Sequence, residues 1–260
     1  MTALRPPRRR RLVGGLVAVA SLALAVVPLP LYASRQRPLR AVALAIIPYG
    51  QLESNGRKSG LFVEAYESLE RVLGRRIEIT VVPYARAIAM LRSGEADLMI
   101  ATSNSVIAAT AEPMGMLWAA EVIAIGRAGL KLEGQQDLRG RTVGLLRGSD
   151  YGAEFLDDGQ YHRHEITDQV QGVRMLLEGR LDASLGTRLA VFHAMRLLGV
   201  SRAKLGPSIS VQPREIHLHL GRRSADEALA TELRHAVQEL RTSGKADALL
   251  AKYLAGLPSG

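Results

Sequence analysis

Apolar residues along the chain follow two alternating patterns, short continuous runs and longer stretches with helical spacing. The short runs in the first third are LRAVALAII (39–47), IEITVV (77–82) and DLMIA (97–101). Runs of this length are typical of strands, and the first is apolar enough to be buried on both faces. Residues 59–75 and 86–94 space their apolar side chains as one face of a helix does. The order β-α-β-α-β predicts a parallel sheet covered by helices.

The same alternation starts again after a further predicted strand at 118–127 and a polar, glycine-bearing segment at 128–140. The later elements are strands at 142–148 and 182–186, helices at 168–179 and 187–199, an extended segment at 213–223, and helices at 224–244 and 245–255. Ser59 and Asp168 are candidate helix caps, and Ser224 with Glu227 has the spacing of a capping box. The segment at 128–140 predicts a boundary between two lobes.

Two triplets of residues repeat with the same spacing, once in each half of the chain. They are Leu91, Gly94 and Asp97, and Leu176, Gly179 and Asp182. In each triplet the glycine is placed to end a helix in a left-handed turn, and the aspartate to accept hydrogen bonds from backbone N–H groups. We interpret both triplets as turn chemistry and not as ligand contacts. Their repetition indicates two similar α/β lobes.

Composition and charge narrow the possible function classes. The 260 residues contain no cysteine, which excludes a disulfide framework and a cysteine-based metal site. The net charge is +9, but residues 1–34 hold five arginines and no acid, so 29 basic and 25 acidic residues leave the remainder at +4. A mildly basic body with 4% aromatic residues is not typical of a nucleic-acid-binding protein.

The first 34 residues have the pattern of an export signal. RPPRRRR (5–11) is a basic segment and LVGGLVAVASLALAVV (12–27) an apolar one. The stretch from Leu12 to Ser34 has 23 residues without charge, and about 20 are enough to span a bilayer. An uncleaved anchor in the inner membrane is therefore the alternative. In both cases the leading basic residues predict that the body of the protein lies in the periplasm.

Six segments together resemble the bacterial extracellular solute-binding proteins of family 3, the periplasmic receptors typified by polar amino-acid uptake. The segments are IIPYG (46–50), SGLFVEAYESLERVLG (59–74), VVPYARAIAMLRSGEADLMIATSN (81–104), DLRGRTVGLLRGSDYG (137–152), LLEGRLDASLG (176–186) and ELRTSGKADALLAKYLA (239–255). Their order and spacing over residues 38–254 carry the resemblance, since none of them is specific alone.

The resemblance implies an α/β fold of the periplasmic-binding-protein-like type II, in which each of two lobes is a small sheet with covering helices. The chain would cross between the lobes near 125–128 and 211–216. Lobe one would comprise residues 38–126 and 215–260, and lobe two residues 127–214. A small-molecule ligand would bind in the cleft, and the lobes would close around it. The implied partner is a membrane permease of the ABC type; we expect a monomer with no cofactor and no nucleic acid.

Ligand contacts are expected where the carboxyl ends of parallel strands and the starts of helices converge on one crevice. The candidates there are Tyr49, Arg86, Thr102, Ser103, Asn104, Arg147, Ser149 and Thr187. Tyr49 matches a position at which the family places a stacking aromatic residue. Arg86 lies in a P-x-x-R-A element found in some members, with an ion pair inside lobe one as the alternative. A basic surface loop is the alternative for Arg147.

Both anchors of an amino-acid ligand are missing from the positions that the resemblance implies. Relatives clamp the α-carboxylate with an arginine where Ala109 stands here, and hold the α-ammonium with an aspartate where Thr187 stands. A zwitterion without these partners would leave desolvated charges unpaired. We therefore expect a small polar ligand other than a typical α-amino acid, and Arg86 and Arg147 favour an anionic one.

Two other functions remain open beside a solute receptor for ABC-type uptake. Cyclohexadienyl dehydratase resembles the same family, so an exported enzyme is one alternative, with Glu64, Glu121 or Asp150 as acid or base. A membrane-tethered sensor or adaptor is the other. The sequence contains no G-x-S-x-G, H-E-x-x-H, P-loop or G-x-G-x-x-G motif. His162 with His164, and His217 with His219, are better explained as surface histidines than as metal ligands. We predict a binding protein and not an enzyme.

Overall fold

The computed structural model describes Thr2 and residues 37–149, 151 and 160–257. The predicted export signal or anchor, apart from Thr2, and the candidate acid Asp150 lie outside these described residues. Within them, no helix combines the length and the apolar character needed to cross a membrane.

Strands and helices alternate in most of the described chain. The strands are β1 (Leu39–Leu44), β2 (Gln51–Leu52), β3 (Lys58–Ser59), β4 (Ile77–Val82), β5 (Leu98–Thr102), β6 (Ala111–Arg127), β7 (Thr142–Leu146), β8 (His162–Ile166), β9 (Ala183–Thr187) and β10 (Leu205–Gly221). The helices are α1 (Leu61–Leu73), α2 (Tyr84–Ser93), α3 (Ser105–Ala108), α4 (Gln169–Leu177), α5 (Arg188–Leu197), α6 (Glu227–Thr242) and α7 (Lys245–Leu254).

Glycine ends two of these helices as the sequence predicts. Gly74 closes α1 at φ 60° and Gly94 closes α2 at φ 79°, both in the left-handed conformation that glycine adopts without steric cost. Asp168 caps α4, and its side chain accepts a hydrogen bond from Gln171 N at 2.8 Å.

Two predicted helix starts are wrong. Helix α1 begins after Gly60 and not after Ser59, because Ser59 pairs in the short β2–β3 hairpin. Helix α6 begins after Asp226, whose Oδ1 accepts a hydrogen bond from Leu229 N at 2.9 Å. Ser224 instead donates its hydroxyl to the buried Asp97, so the Ser224–Glu227 capping box does not form.

One hydrogen-bonded network joins eight of the strands in the order β4-β1-β5-β10-β6-β9-β7-β8. Strand β1 runs parallel to β4 and β5, and β7 runs parallel to β8 and β9. The centre is an antiparallel ribbon formed by β6 and β10, each 17 residues long. This arrangement confirms the predicted parallel β-α-β units.

The two parallel sheets attach at opposite ends of the ribbon. Strand β5 pairs with residues 216–220 of β10, whereas β9 pairs with residues 122–126 of β6. Between these attachments, residues 119–121 and 213–215 pair with each other. Register shifts between residues 210 and 212 and between 216 and 217 flank this connecting stretch. The two-lobed fold is therefore confirmed, while the predicted boundaries at 126/127 and 214/215 stay predictions.

The buried side chains form three clusters in the described chain, one mainly in lobe one and two mainly in lobe two. Lobe one contains a cluster that includes Leu61, Met99 and Leu233. Lobe two contains two clusters, one around Leu145 and one around Phe192. The two clusters of lobe two contain alternate residues of β6, because successive side chains of a strand point to opposite faces and both faces are covered here.

Asp97 and Asp182 tie together the corresponding corner of each lobe. Asp97 Oδ2 accepts a hydrogen bond from Arg40 N at 2.8 Å, and Asp97 N donates to Arg40 O at 2.7 Å. Asp182 Oδ2 accepts from Thr142 N at 3.0 Å, and Asp182 N donates to Thr142 O at 2.9 Å. The glycines three residues earlier have φ of 79° and 69°. The interpretation of the repeated triplets as turn chemistry is confirmed.

Strands β6 and β10 are longer than the predicted segments 118–127 and 213–223. Residues 111–117 include Pro113 and Gly115, which favour turns when only the sequence is considered. Here Gly115 has φ 152°, and a Cβ on it would lie 2.8 Å from Val237 Cγ1 of helix α6. The glycine therefore permits close packing of α6 against a strand that continues past it.

Candidate functional site

A cavity of about 80 Å³ lies beside the connecting stretch of the ribbon and is lined by residues of both lobes. Its lining residues are Leu44, Ile46, Tyr49, Phe62, Tyr84, Ala101, Thr102, Asn104, Val122, Leu146, Ser149, Tyr151, Gln169, Gly186, Thr187, Ala190, Arg214 and Ile216. Half of them are aliphatic residues, phenylalanine or glycine, and the rest, except for Arg214, are neutral residues that form hydrogen bonds. A water molecule needs about 10–15 Å³, so the cavity can hold a small ligand.

Five of the eight predicted site residues line this cavity. They are Tyr49, Thr102, Asn104, Ser149 and Thr187. Thr102 and Thr187 are the last residues of β5 and β9, and Ser149 follows β7. The carboxyl ends of strands from both lobes thus meet at the cavity, as the crevice rule for open α/β sheets predicts.

A direct hydrogen bond joins the lobes at the cavity wall. Tyr49 OH donates to Thr187 Oγ1 at 2.7 Å. Tyr49 is buried, and its ring stacks on Phe62 with 4.6 Å between the ring centroids. Burial raises the pKa of Tyr49 to about 12, so the hydroxyl keeps its proton and remains a donor at neutral pH. The bond is available only when the lobes are close together.

Asn104 shapes the cavity wall through two contacts within lobe one. Its Oδ1 accepts a hydrogen bond from Ile107 N at 2.9 Å and caps the short helix α3. Its Nδ2 donates to Tyr84 OH, also at 2.9 Å. The Asn104 side chain therefore lines the cavity itself and also holds Tyr84 at the edge of the cavity.

The other three predicted site residues do not line the cavity. Arg86 and Arg147 are exposed and pair with acids of their own lobes, and for Arg86 an ion pair inside lobe one is the alternative interpretation. The distances are 3.2 Å from Arg86 Nη2 to Glu95 Oε2 and 3.0 Å from Arg147 Nε to Glu165 Oε2. Ser103 Oγ lies 3.1 Å from Nε2 of the buried His219, on lobe one.

Sequence reasoning missed several residues of the cavity wall, among them Phe62, Tyr84, Tyr151, Gln169 and Arg214. A signal for Arg214 was present, because a crossing predicted near 211–216 places side chains of that segment beside the cleft. Gln169 gave no such signal, since the first turn of a helix only becomes a cavity wall through the packing of α4 against β9.

The candidate catalytic acids that the structure describes are paired within the protein. Glu64 Oε1 accepts hydrogen bonds from Lys252 Nζ and Tyr253 OH, both at 2.7 Å, and lies outside the cavity. Glu121 forms a bidentate ion pair with Arg188. This ion pair lines a neighbouring cavity of about 240 Å³ whose other walls are mainly apolar side chains such as Leu250.

Clusters of side chains suited to a metal ion are not found in the described part of the chain. His162 and His164 are exposed on β8, as expected for surface histidines. The expectation is wrong for His219, which is buried because β10 lies between β5 and β6 in the sheet. His217 Nε2 contacts Glu215 Oε2 at 2.9 Å. No cluster of three histidine, aspartate or glutamate side chains suited to a metal ion occurs among residues 37–149, 151 and 160–257.

Comparison with known proteins agrees with the two-lobed arrangement. The model of the bacterial extracellular solute-binding proteins, family 3, matches residues 41–256. The chain belongs to this family. A curated relative, the probable amino-acid-binding protein YxeM of Bacillus subtilis (strain 168), is 20% identical over 211 residues, which cover 77% of this chain and 78% of that protein.

Solved structures share the fold at low identity. A histidine kinase sensor domain with similarity to periplasmic binding proteins has a TM-score of 0.75 at 21% identity, covering 86% of this chain and 99% of that one. The ancestral amino-acid-binding protein AncCDT-1, a precursor of cyclohexadienyl dehydratase, has a TM-score of 0.69 at 17% identity, covering 83% and 94%. At these identities the two matches show that the fold is shared and say nothing further about this chain.

Proposed function

We propose that the chain is an exported solute-binding receptor that captures a small polar ligand, preferably an anion, and delivers it to an ABC-type importer. The observation that carries the proposal is the cavity that side chains of both lobes line and the Tyr49–Thr187 hydrogen bond bridges. A ligand that contacts both walls binds the closed form more tightly than the open form, so binding would favour closure.

The proposed ligand contacts are the five predicted residues that line the cavity. Arg86, Ser103 and Arg147 are left out, because their side chains have partners away from it. The expectation of a ligand other than an α-amino acid is supported by the wall composition. No aspartate or glutamate occurs among the described lining residues, and Ala109 is exposed on lobe one outside the wall.

The test is a thermal-shift screen of the full chain against amino acids, organic acids, sugars and phosphorylated compounds. A ligand at 100 times its Kd stabilises the native state by about 2.7 kcal/mol, which raises the Tm by several degrees. Small-angle X-ray scattering with each hit should then show a smaller radius of gyration. A screen without hits, or binding without compaction, contradicts the proposal.

Two observations bear on the alternatives. An enzyme is disfavoured because the described cavity residues include no carboxylate or histidine, and because Glu64 and Glu121 are paired elsewhere. Turnover of the tightest ligand would reverse this conclusion.

A tethered sensor is favoured by the uncharged segment from Leu12 to Ser34. N-terminal sequencing of the protein from periplasmic and membrane fractions distinguishes the tethered form from the free one.

A further inference from the structure

Arg214 is the only charged side chain among the described residues that line the cavity. It lies in the connecting stretch of β10, opposite Ala120 of β6 and two residues before β10 begins to pair with β5. In the described part of the chain, no other strand pairs with β10 at this position. The side chain therefore has room to extend towards the space between the lobes.

The guanidinium of Arg214 has no acidic partner within the described residues. Its Nη1 is 3.5 Å from Ser103 O, the limit of a hydrogen bond, and its Nη2 is buried without any partner. Other arginines around the cleft are paired, as in Arg86–Glu95, Arg147–Glu165 and Arg188–Glu121. Arginine stays charged at every physiological pH, and a buried charge without a partner is costly. An anionic group on a ligand would supply the partner that the described residues do not provide.

Gln169 contributes a second buried polar atom without a partner to the same wall. Its Nε2 donates to Leu185 O at 3.0 Å, which fixes the orientation of the amide and leaves Oε1 as the unpartnered atom. Gly186, another lining residue, makes room for this amide, because a Cβ there would lie 2.9 Å from Oε1. An amide oxygen only accepts hydrogen bonds, so its missing partner is a donor.

We infer that the cavity selects a small hydroxy carboxylate, with Arg214 binding the carboxylate and Gln169 Oε1 accepting a hydrogen bond from the hydroxyl. This inference rests on the proposed function, because it names the ligand class of the same site. Apolar walls such as Phe62 and Val122 suit a short hydrocarbon remainder. An ammonium group in place of the hydroxyl would meet no carboxylate among the described lining residues and would add a second positive charge near Arg214.

The first test compares four ligands with one carbon skeleton by calorimetric titration of the full chain. They are 2-hydroxybutanoate, butanoate, 2-aminobutanoate and 2-hydroxybutanamide, and the series is repeated on a branched five-carbon skeleton. We expect the hydroxy acid to bind most tightly. The neutral amide should bind at least about 30-fold more weakly, because it gives the Arg214 guanidinium no ionic partner in the closed cavity. The acid without a hydroxyl should bind about 3- to 10-fold more weakly.

The second test uses variants at the two proposed anchors. Arg214→Gln should remove the preference for the acid over the amide and weaken hydroxy-acid binding at least about 30-fold. It should leave the Tm of the ligand-free protein nearly unchanged, because Arg214 is only half-buried and has no acidic partner among the described residues. Gln169→Leu should remove the preference for the hydroxy acid over the parent acid. Arg180→Gln, which alters an exposed arginine paired with Glu178, is the control that should change neither preference.

Several outcomes would overturn the inference while leaving the proposed function intact. Tightest binding by the amino acid, a sugar or a phosphorylated compound, or an amide that binds as well as its acid, excludes the hydroxy carboxylate. A lower Tm in Arg214→Gln with an unchanged ligand ranking assigns Arg214 a structural role instead. If neither this series nor the broad screen yields any ligand, the proposed function itself fails.

Discussion

Asp97 places a fully buried carboxylate among several donors at the edge of lobe one. Arg37 and Arg40 donate to it from their guanidinium groups, and Ser224 and the backbone of Arg40 complete its contacts. Burial alone would raise the pKa of Asp97, but these hydrogen bonds outweigh burial and hold that pKa well below its usual range. The ionised form is therefore part of the folded structure.

We predict that Asp97→Asn lowers the free energy of unfolding at pH 7 by about 1.5–3 kcal/mol, because it weakens several charge-assisted hydrogen bonds at once. Urea denaturation measures the change. The control is Glu112→Gln, which removes an exposed partner of Arg222 and should cost less than about 1 kcal/mol. A group with a lowered pKa stabilises the fold above its ordinary pKa, so the difference between Asp97→Asn and the unmodified protein should shrink below about pH 4. Equal losses in both variants would contradict the prediction.

Tyr49→Phe tests whether the bond between the lobes supports closure. We predict that the affinity for the ligand found by screening falls about 2- to 10-fold, since one neutral hydrogen bond contributes about 0.5–1.5 kcal/mol. Tyr66→Phe is the matched control, because the Tyr66 hydroxyl donates to Val42 O inside lobe one at 2.9 Å. That control should lower stability without changing affinity. An unchanged affinity in Tyr49→Phe would mean that the bond contributes nothing to the bound state.

Site residues could be predicted from the sequence where they lie at or just after the end of a strand. Thr102, Ser149 and Thr187 could be found, because each comes at or just after the carboxyl end of a parallel strand. Arg86 and Arg147 share that feature of sequence, but each has an acid within its own lobe that competes for the side chain. Neither Glu95 nor Glu165 could be recognised as a partner before the fold was known, since the pairing depends on distances that spacing does not encode.

At the level of the element, the ends of helices α2 and α4 depend on glycine in the left-handed conformation. Gly179 has φ 69°, and a Cβ placed on it would meet no atom within 4 Å, so a substitution there changes backbone strain alone. We predict that Gly179→Ala destabilises the protein by about 1–2 kcal/mol. Gly179→Asn should cost less, because asparagine tolerates this conformation better. Chemical denaturation of both variants measures the order, and an alanine variant as stable as the unmodified protein would contradict it.

Regular elements were predictable where one periodicity lasted through the element, as in α1 and β4. The long strands β6 and β10 were only half recognised, because their surroundings change along their length. Their central residues are partly exposed beside the cavity, whereas the ends are buried in different lobes. Pro213 adds to the difficulty, yet it is tolerated in β10 opposite Glu121 within the connecting stretch.

At the level of the whole molecule, stability should fall as the solution becomes mildly acidic. His219 is buried between β5 and β6 on β10, and burial, aided by the nearby His217, lowers its pKa from 6.5 to about 4. The unfolded chain then binds a proton at pH values where the folded chain does not, so stability decreases between about pH 6.5 and 4. The shift corresponds to roughly 3 kcal/mol.

His219→Gln should remove most of this decrease, as measured by urea denaturation at pH 7, 6, 5 and 4. His235→Gln, at an exposed position of α6, is the control that should keep the slope of the unmodified protein. Glu215, which contacts His217, stays in place in both variants. A His219 variant that loses stability as steeply as the control would show that other groups govern the acid response.

The path of β10 also sets an order in which the two lobes are completed while the chain is synthesised from its N-terminus. Almost all the buried residues of lobe two fall between positions 122 and 205, so its strands have their neighbours once the first half of β10 has emerged. Strands β5 and β6 of lobe one must wait for residues 216–221 to come between them. Until then each has an unpaired edge, which another chain could occupy. Lobe two, which is built from the middle of the chain, is thus the first to have all its strands paired. Lobe one, whose first strands are synthesised earliest, is the part of the nascent protein most vulnerable to aggregation.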